Sequence, residues 1–366
     1  MNTKLHLTLS GSLLSLSLLS TSAVALTPFE QLGEHIYFDE NLSDPNGQAC
    51  ASCHLPETGF AEPDQNLPVS EGVIPGRFGG RNAPTSSYAV FFPPFELKGN
   101  TGIGGQFWDG RASTLADQAK GPFLNPVEMN NLKPGEPIHV GKARVLDDIL
   151  ASGYQNLFVQ ECGNVDLNDP ASINAAYDCL ADAIAAFEST TALSPFTSKF
   201  DAVMAGTAQF TAQEEMGFDL FRGKAKCAHC HSNRTPEGAP AAIFTDNNYH
   251  NLGLPVNPEI AALIGVPQPV DLGLGGVHDD PRLYGNFKTS HLRNIAMTPP
   301  YMHNGVLKTL TEVVDFYNTR DIPGMWDAPE VPDNLDSKFL GDLKLTADEV
   351  AAIVAFMETL TDGYTN

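Results

Sequence analysis

The sequence predicts a mainly α-helical, loop-rich fold with little β structure, built in two halves. Three observations predict it. Apolar residues recur at helical spacing behind capping-box starts, as in Thr211-x-x-Glu214, Thr309-x-x-Glu312 and Thr346-x-x-Glu349. No segment reads as a convincing strand run. The pentapeptide C-x-x-C-H occurs once in each half, as Cys50-Ala51-Ser52-Cys53-His54 and Cys227-Ala228-His229-Cys230-His231, and a helix leads into each copy.

In that spacing two thiols add across the vinyl groups of a haem while the adjacent imidazole ligates its iron. With six Cys and ten His in 366 residues, chance supplies roughly 0.003 such matches. Structural zinc is the competing chemistry, but zinc has no need of a His directly after the second Cys. The two halves are therefore expected to be cytochrome-c-like haem domains, with His54 and His231 as proximal ligands.

Residues 1–25 carry only Lys4 before an apolar run (Leu13, Leu14, Leu16, Leu18, Leu19) and end in Ala23-Val24-Ala25, the pattern of a cleaved secretory signal. No later stretch approaches a membrane span. An exported destination is expected, periplasmic or at the cell surface. The rest divides into an N-terminal haem domain, 26–204, and a C-terminal haem domain, 205–366. The formal charge of −23 becomes −24 without Lys4. An acidic surface of this kind argues against nucleic acid and suits a complementary redox partner.

Taken in order, residues 29–37 form an amphipathic helix entering the first pentapeptide. Residues 55–105, rich in Pro and Gly, read as an ordered loop system over one haem face. A helix starts at 114–119 and is expected to stop at Gly121-Pro122. Segments 145–158 and 171–187 read as two more helices, the second striped by Ile173, Ala176, Leu180, Ile184 and Phe187. The pattern weakens over 194–206, where the boundary falls. The helix from Thr211 then delivers the chain to Cys227, a second loop stretch follows Ser232, and the last two helices start at Thr309 and Thr346. Cys162 and Cys179, left over by the haem motifs in an oxidising compartment, are expected to pair as a disulfide, stabilising by about 3 kcal/mol.

Function turns on the sixth ligand of each iron. No His or Met lies between His54 and Met129, and Lys98 would have to lose its proton to bind. An open first haem is favoured, with His139 and His250 as distant candidates. For the second haem Met297, Met302, His278, His291, His303 and Tyr317 all qualify. Tyr317 lies on the stripe Leu310, Val313, Val314, Tyr317 and, taken alone, reads as a core tyrosine.

The stretches Gly105-Gln106-Phe107-Trp108-Asp109-Gly110-Arg111, Asp117-Gln118-Ala119-x-Gly121-Pro122 and Asn125-Pro126-Val127-Glu128-Met129 resemble the bacterial dihaem cytochrome c peroxidase and MauG superfamily. Leu292-Arg293-Asn294-Ile295 and Thr298-Pro299-Pro300-Tyr301-Met302-His303-Asn304-Gly305 match it after the second haem, so the likeness runs along nearly the whole mature chain. The resemblance implies that Gln118 and Glu128 sit beside the first haem, where a carboxylate moves a peroxide proton and an amide orients the peroxide. It implies that Trp108 lies between the haems as a stepping stone for electron holes. It also implies a Ca²⁺ held by Asn82 and by the carbonyls of Thr298 and Pro300.

Two departures from the ordinary peroxidases matter. Tyr317 stands where they place a methionine ligand of the second iron, and the first haem loop lacks their inhibitory His. Both departures resemble MauG-like members, in which tyrosinate lowers the iron potential. They imply a peroxide-dependent enzyme that oxidises a Trp or Tyr of a partner protein. A surface tryptophan found just before the second haem motif of the quinone-maturing member is absent, replaced by Gly223-Lys224-Ala225-Lys226; Trp326 is the other tryptophan, as exit relay or packing residue. Two alternatives stand beside this reading: a conventional peroxidase fed by a small cytochrome c or cupredoxin, and a non-enzymatic dihaem electron carrier.

Overall fold

The computed structural model describes residues 25–365, so the expected signal segment, apart from Ala25, lies outside the described residues. The first half contains α1 (Pro28–Tyr37), α2 (Leu115–Leu124), α3 (Ile138–Ala151), α4 (Gln155–Cys162) and α5 (Pro170–Glu188). The second contains α6 (Lys199–Met204), α7 (Ala212–Arg222), α8 (Pro258–Ile264), α9 (Gly273–His278), α10 (Leu310–Thr319) and α11 (Ala347–Glu358). The fold is mainly α, as the helical stripes predict.

Threonine sets the start of the helices that frame each pentapeptide. Reciprocal capping boxes pair Thr27 with Glu30, Thr211 with Glu214, Thr309 with Glu312 and Thr346 with Glu349, satisfying amides that have no partner in the first turn.

The same crossing occurs twice. α1 lies so close on α5 that a Cβ at Gly33 would strike the Ala183 carbonyl and Phe187, and α7 lies so close on α11 that a Cβ at Gly217 would strike the Ala352 carbonyl and Phe356. Each crossing is the spine of its own apolar cluster. One cluster draws buried residues from Leu32 to Leu193, the other from Phe200 to Leu360. The helix bearing the glycine precedes the Cys-containing turn in both, closely for α7 and across a loop and a short 3-10 turn for α1.

The structure corrects two expected boundaries. Pro122 does not stop α2; it lies in the last turn, where the missing amide costs one bond, and the Asn125 amide closes the end on the Pro122 carbonyl at 3.2 Å. The single helix expected over 145–158 is two, broken where Ser152 Oγ takes the Ile149 carbonyl at 2.7 Å and receives the Tyr154 amide. The short α6, α8 and α9 fall in segments that read as boundary and loop. The Cys162–Cys179 disulfide is present and ties α4 to α5.

Among the described residues each half carries one small antiparallel sheet, and a single bridge joins the two. β1 (Glu96–Lys98) pairs with β2 (Thr101–Ile103), and β3 (Tyr249–His250) pairs with β4 (Phe287–Lys288) so that Tyr249 faces Lys288. A bridge from Ile103 to Asn248 extends the second pair with chain from the first half. Arg81 to Asp271 at 2.7 Å and Tyr88 Oη to Asp362 at 2.8 Å also cross between halves.

Candidate functional site

Each pentapeptide closes on itself before it faces a cavity. The Cys53 amide bonds the Cys50 carbonyl at 3.2 Å and the His54 amide does so at 3.0 Å; the Cys230 and His231 amides repeat this on Cys227 at 3.2 and 2.8 Å. The turn places both thiols and the imidazole on one wall. Cys50, Cys53 and His54 line a first cavity, and Cys227, Cys230 and His231 line a second.

These donor sets fit haem. All four thiols are unpaired, and burial pushes those of Cys53 and Cys227 up to about 12, so they remain neutral and available for thioether formation. His231 Nδ1 donates to the Phe244 carbonyl at 3.0 Å, which leaves Nε2 as the lone pair for a metal. His54 Nδ1 is buried without a hydrogen-bond partner among the described residues, and burial lowers this imidazole to about 4, keeping it neutral. The ligand atoms of Cys230, Asp246 and His250 lie within 4.8 Å of one another, a spacing that would also suit zinc. His250 is not a free ligand, however. Despite its desolvation it is held cationic, near 12, by Asp246 and Asp336 at 3.3 Å each.

The first cavity also receives Gln118, from the second turn of α2, and Glu128, from the turn after it. Burial raises the Glu128 carboxyl above its usual range, against the Asn125 hydrogen bond and the Arg111 charge. Asn125 Nδ2 donates to Glu128 Oε1 at 2.8 Å, which orients the group and leaves Oε2 free of protein donors. Lys98 is on the surface with Glu96 at 2.9 Å, and neither His139 nor His250 lines this cavity.

Tyr317 lines the second cavity together with Leu310, Val313 and Val314, the rest of its stripe. Burial raises its phenol well above the ordinary value. Met302 and His303 reach the same cavity, whereas Met297, His278 and His291 do not line it. His278 stacks on Phe95 at 5.3 Å and His291 Nε2 donates to the Ser87 carbonyl at 2.7 Å.

Trp108 lines both cavities and the small chamber between them. Its indole donates to the Asn82 carbonyl at 2.9 Å. Asn82, Thr298 and Pro300 all line that chamber. Asn82 Nδ2 is used on the Pro68 carbonyl at 3.2 Å, so Oδ1 is the side-chain atom left for a ligand. Trp326 is elsewhere, half-buried, with its indole on Thr319 at 3.0 Å and its ring against Phe316 at 5.1 Å. Glu188 and Lys288 also border these spaces and carry no sequence signal of a role. A single charged residue reads as solvated surface until packing shows otherwise.

Two thiol-and-imidazole cavities bridged by one indole define a two-centre haem oxidoreductase. The family model of di-haem cytochrome c peroxidase matches residues 28–209. Methylamine utilization protein MauG of Paracoccus denitrificans is 39% identical over 351 residues, 90% of this chain and 88% of that protein. The diheme peroxidase BthA of Burkholderia thailandensis superposes with a TM-score of 0.78 at 30% identity, over 93% of this chain and 90% of its own. A MauG-like protein associated with microbial copper homeostasis superposes at 0.69 with 27% identity, over 92% and 90%. The chain belongs to the di-haem cytochrome c peroxidase and MauG family, and is a dihaem c-type oxidoreductase. No helix among the described residues is long and apolar enough to cross a membrane.

Proposed function

We propose that this chain is an exported, MauG-like enzyme that uses hydrogen peroxide to oxidise a tryptophan or tyrosine of a partner protein. The contrast between the two cavities carries this reading: a carboxyl oriented by Asn125 and an amide border the first, and a phenol borders the second. The two apolar clusters support two haem domains, but Phe200 of α6 packs in the second cluster, so the division falls between Leu193 and Phe200, a few residues before the expected 204/205.

In this reading Cys50, Cys53 and His54 hold one haem, and Cys227, Cys230, His231 and Tyr317 hold the other. When bound, the first haem supplies an iron with a vacant position for peroxide, and the pair together accepts two oxidising equivalents. Glu128 Oε2 takes the proton from one peroxide oxygen and returns it to the other, a task helped by a carboxyl that burial holds above its usual range. The Gln118 amide orients the peroxide. Trp108 passes electrons between the cavities. Tyr317 would hold the second iron through its phenol oxygen, which would lower the potential of that centre. Asn82, Thr298 and Pro300 offer hard oxygen donors to Ca²⁺ beside Trp108. Calcium chelation is therefore expected to slow electron exchange between haems without releasing either one.

Mixing ferric holoprotein with peroxide and recording near-infrared and Mössbauer spectra tests this reading. A new two-iron oxidised signature is expected in the wild type and its loss in Tyr317→Met; persistence of the resting ferric spectrum overturns the proposal. The conventional peroxidase is the alternative that Met302 in the second cavity favours. Brisk turnover with a reduced small cytochrome c or cupredoxin would select it.

A further inference from the structure

One buried cation beside Trp108 has no carboxylate partner among the described residues. Lys288, on β4, is buried, with its amide on the Trp108 carbonyl at 2.8 Å. Its Nζ donates to the Gly105 carbonyl at 2.6 Å and stands 3.8 Å from the centre of the Phe92 ring. Among the described residues no carboxylate forms an ion pair with it. Asp109 is the acid whose field reaches it, but the Asp109 oxygens are engaged by Arg81 at 2.6 Å and by Arg111 at 2.9 and 3.0 Å. Arg81 spends its other nitrogens on Asp271 at 2.7 and 2.8 Å. Arg81 and Arg111 therefore each hold a carboxylate, and Lys288 is the buried cation of the three that holds none.

An ammonium buried without an anion is costly, and proteins hold one there when something supplies the missing charge. Lys288 borders both the second cavity and the chamber shared by Trp108, Asn82, Thr298 and Pro300. The group that fills that cavity carries two carboxylates of its own. We propose that Lys288 anchors a carboxylate of the second haem and thereby keeps a fixed positive charge beside Trp108. It is a positioning residue, since it acts through the charge it holds rather than on peroxide.

The alternative use of the side chain is a neutral amine, and the two are separable. Burial alone lowers Lys288 to about 7, so without an anionic partner it would lose its charge across neutral pH. With a carboxylate against it, it stays charged. The other ionisable groups facing it are Asp109, Arg111 and Arg81, Tyr249 across the sheet, and His291, whose imidazole burial keeps near 3. Arginine cannot lose its proton in this range, so Lys288→Arg is the constant-charge reference.

Spectroelectrochemical titration of both haems in the holoprotein, from pH 6 to 9, provides the test. Wild type and Lys288→Arg are expected to give second-haem potentials that run parallel over the whole range. Lys288→Met is expected to lower the second-haem potential more than the first, because a neighbouring cation no longer opposes the oxidised iron. Divergence of wild type from Lys288→Arg above about pH 7 overturns the proposal, as does a Lys288→Met potential equal to wild type. If Lys288→Met fails to accumulate as holoprotein, the arginine comparison decides alone. None of these readouts depends on peroxide chemistry, so they stand or fall apart from the proposed activity.

Discussion

Glu188 ends α5 on the wall of the first cavity, 5% exposed, with Oε2 lacking any protein partner. Burial lifts its carboxyl from 4.5 to about 8. The unfolded chain releases this proton near 4.5 while the fold retains it, so Glu188 costs nothing at low pH and increasingly destabilises the fold as pH rises between those values. Each pH unit in that window is worth roughly 1.4 kcal/mol. Glu188→Gln is accordingly expected to unfold at a higher temperature than wild type at pH 8 and at the same temperature near pH 4.5, measured by calorimetry on holoprotein. Glu128 differs in kind, since its carboxyl is oriented by Asn125 in the same cavity. Glu128→Gln is expected to slow the stopped-flow reaction with peroxide by about 10²–10⁴-fold while leaving thermal stability within about 1 kcal/mol. Motif spacing made legible the Cys and His that line the two cavities. Glu188 and Lys288 were not legible, because their burial comes from chain distant in sequence.

At the scale of helices, the paired crossings are the most exacting contacts. Gly33→Ala and Gly217→Ala each put a methyl against backbone that cannot yield, and each is expected to cost about 1–3 kcal/mol in denaturant melts. α6 is held differently. Arg293, fully buried, gives two hydrogen bonds to Asp201 at 2.6 and 2.9 Å and two to the Ala242 carbonyl at 2.8 and 2.6 Å. Arg293→Met strands Asp201 and is expected to destabilise by about 3–5 kcal/mol. Capping boxes made α7, α10 and α11 readable, because the signal lies within four residues. α6 is also capped, by Ser198 with Asp201, but its six residues show too little period to stand out from a boundary, and much of its support comes from Arg293 far along the chain. Pro122 misled for a related reason: a proline ends a helix in isolation, yet the last turn of a packed one tolerates it.

Across the whole molecule, the halves share one indole and a few ties, among them Arg81 to Asp271 and Tyr88 to Asp362. Trp108→Phe is expected to retain both haem spectra and slow electron exchange between the irons at least tenfold, read by transient absorption after rapid reduction of one of them. The sequence motifs made the two-centre plan legible, and left unread the small sheets that bring Lys288 to Trp108. The hydrogen bond from that indole carries a chemical consequence. An indole stripped of an electron becomes far more acidic, but its N–H here donates to the backbone carbonyl of Asn82, a base far too feeble to keep the proton. In the proposed relay the vacancy therefore crosses as bare charge, with no nucleus to relocate, and the ring is restored by a single electron with no wait for reprotonation.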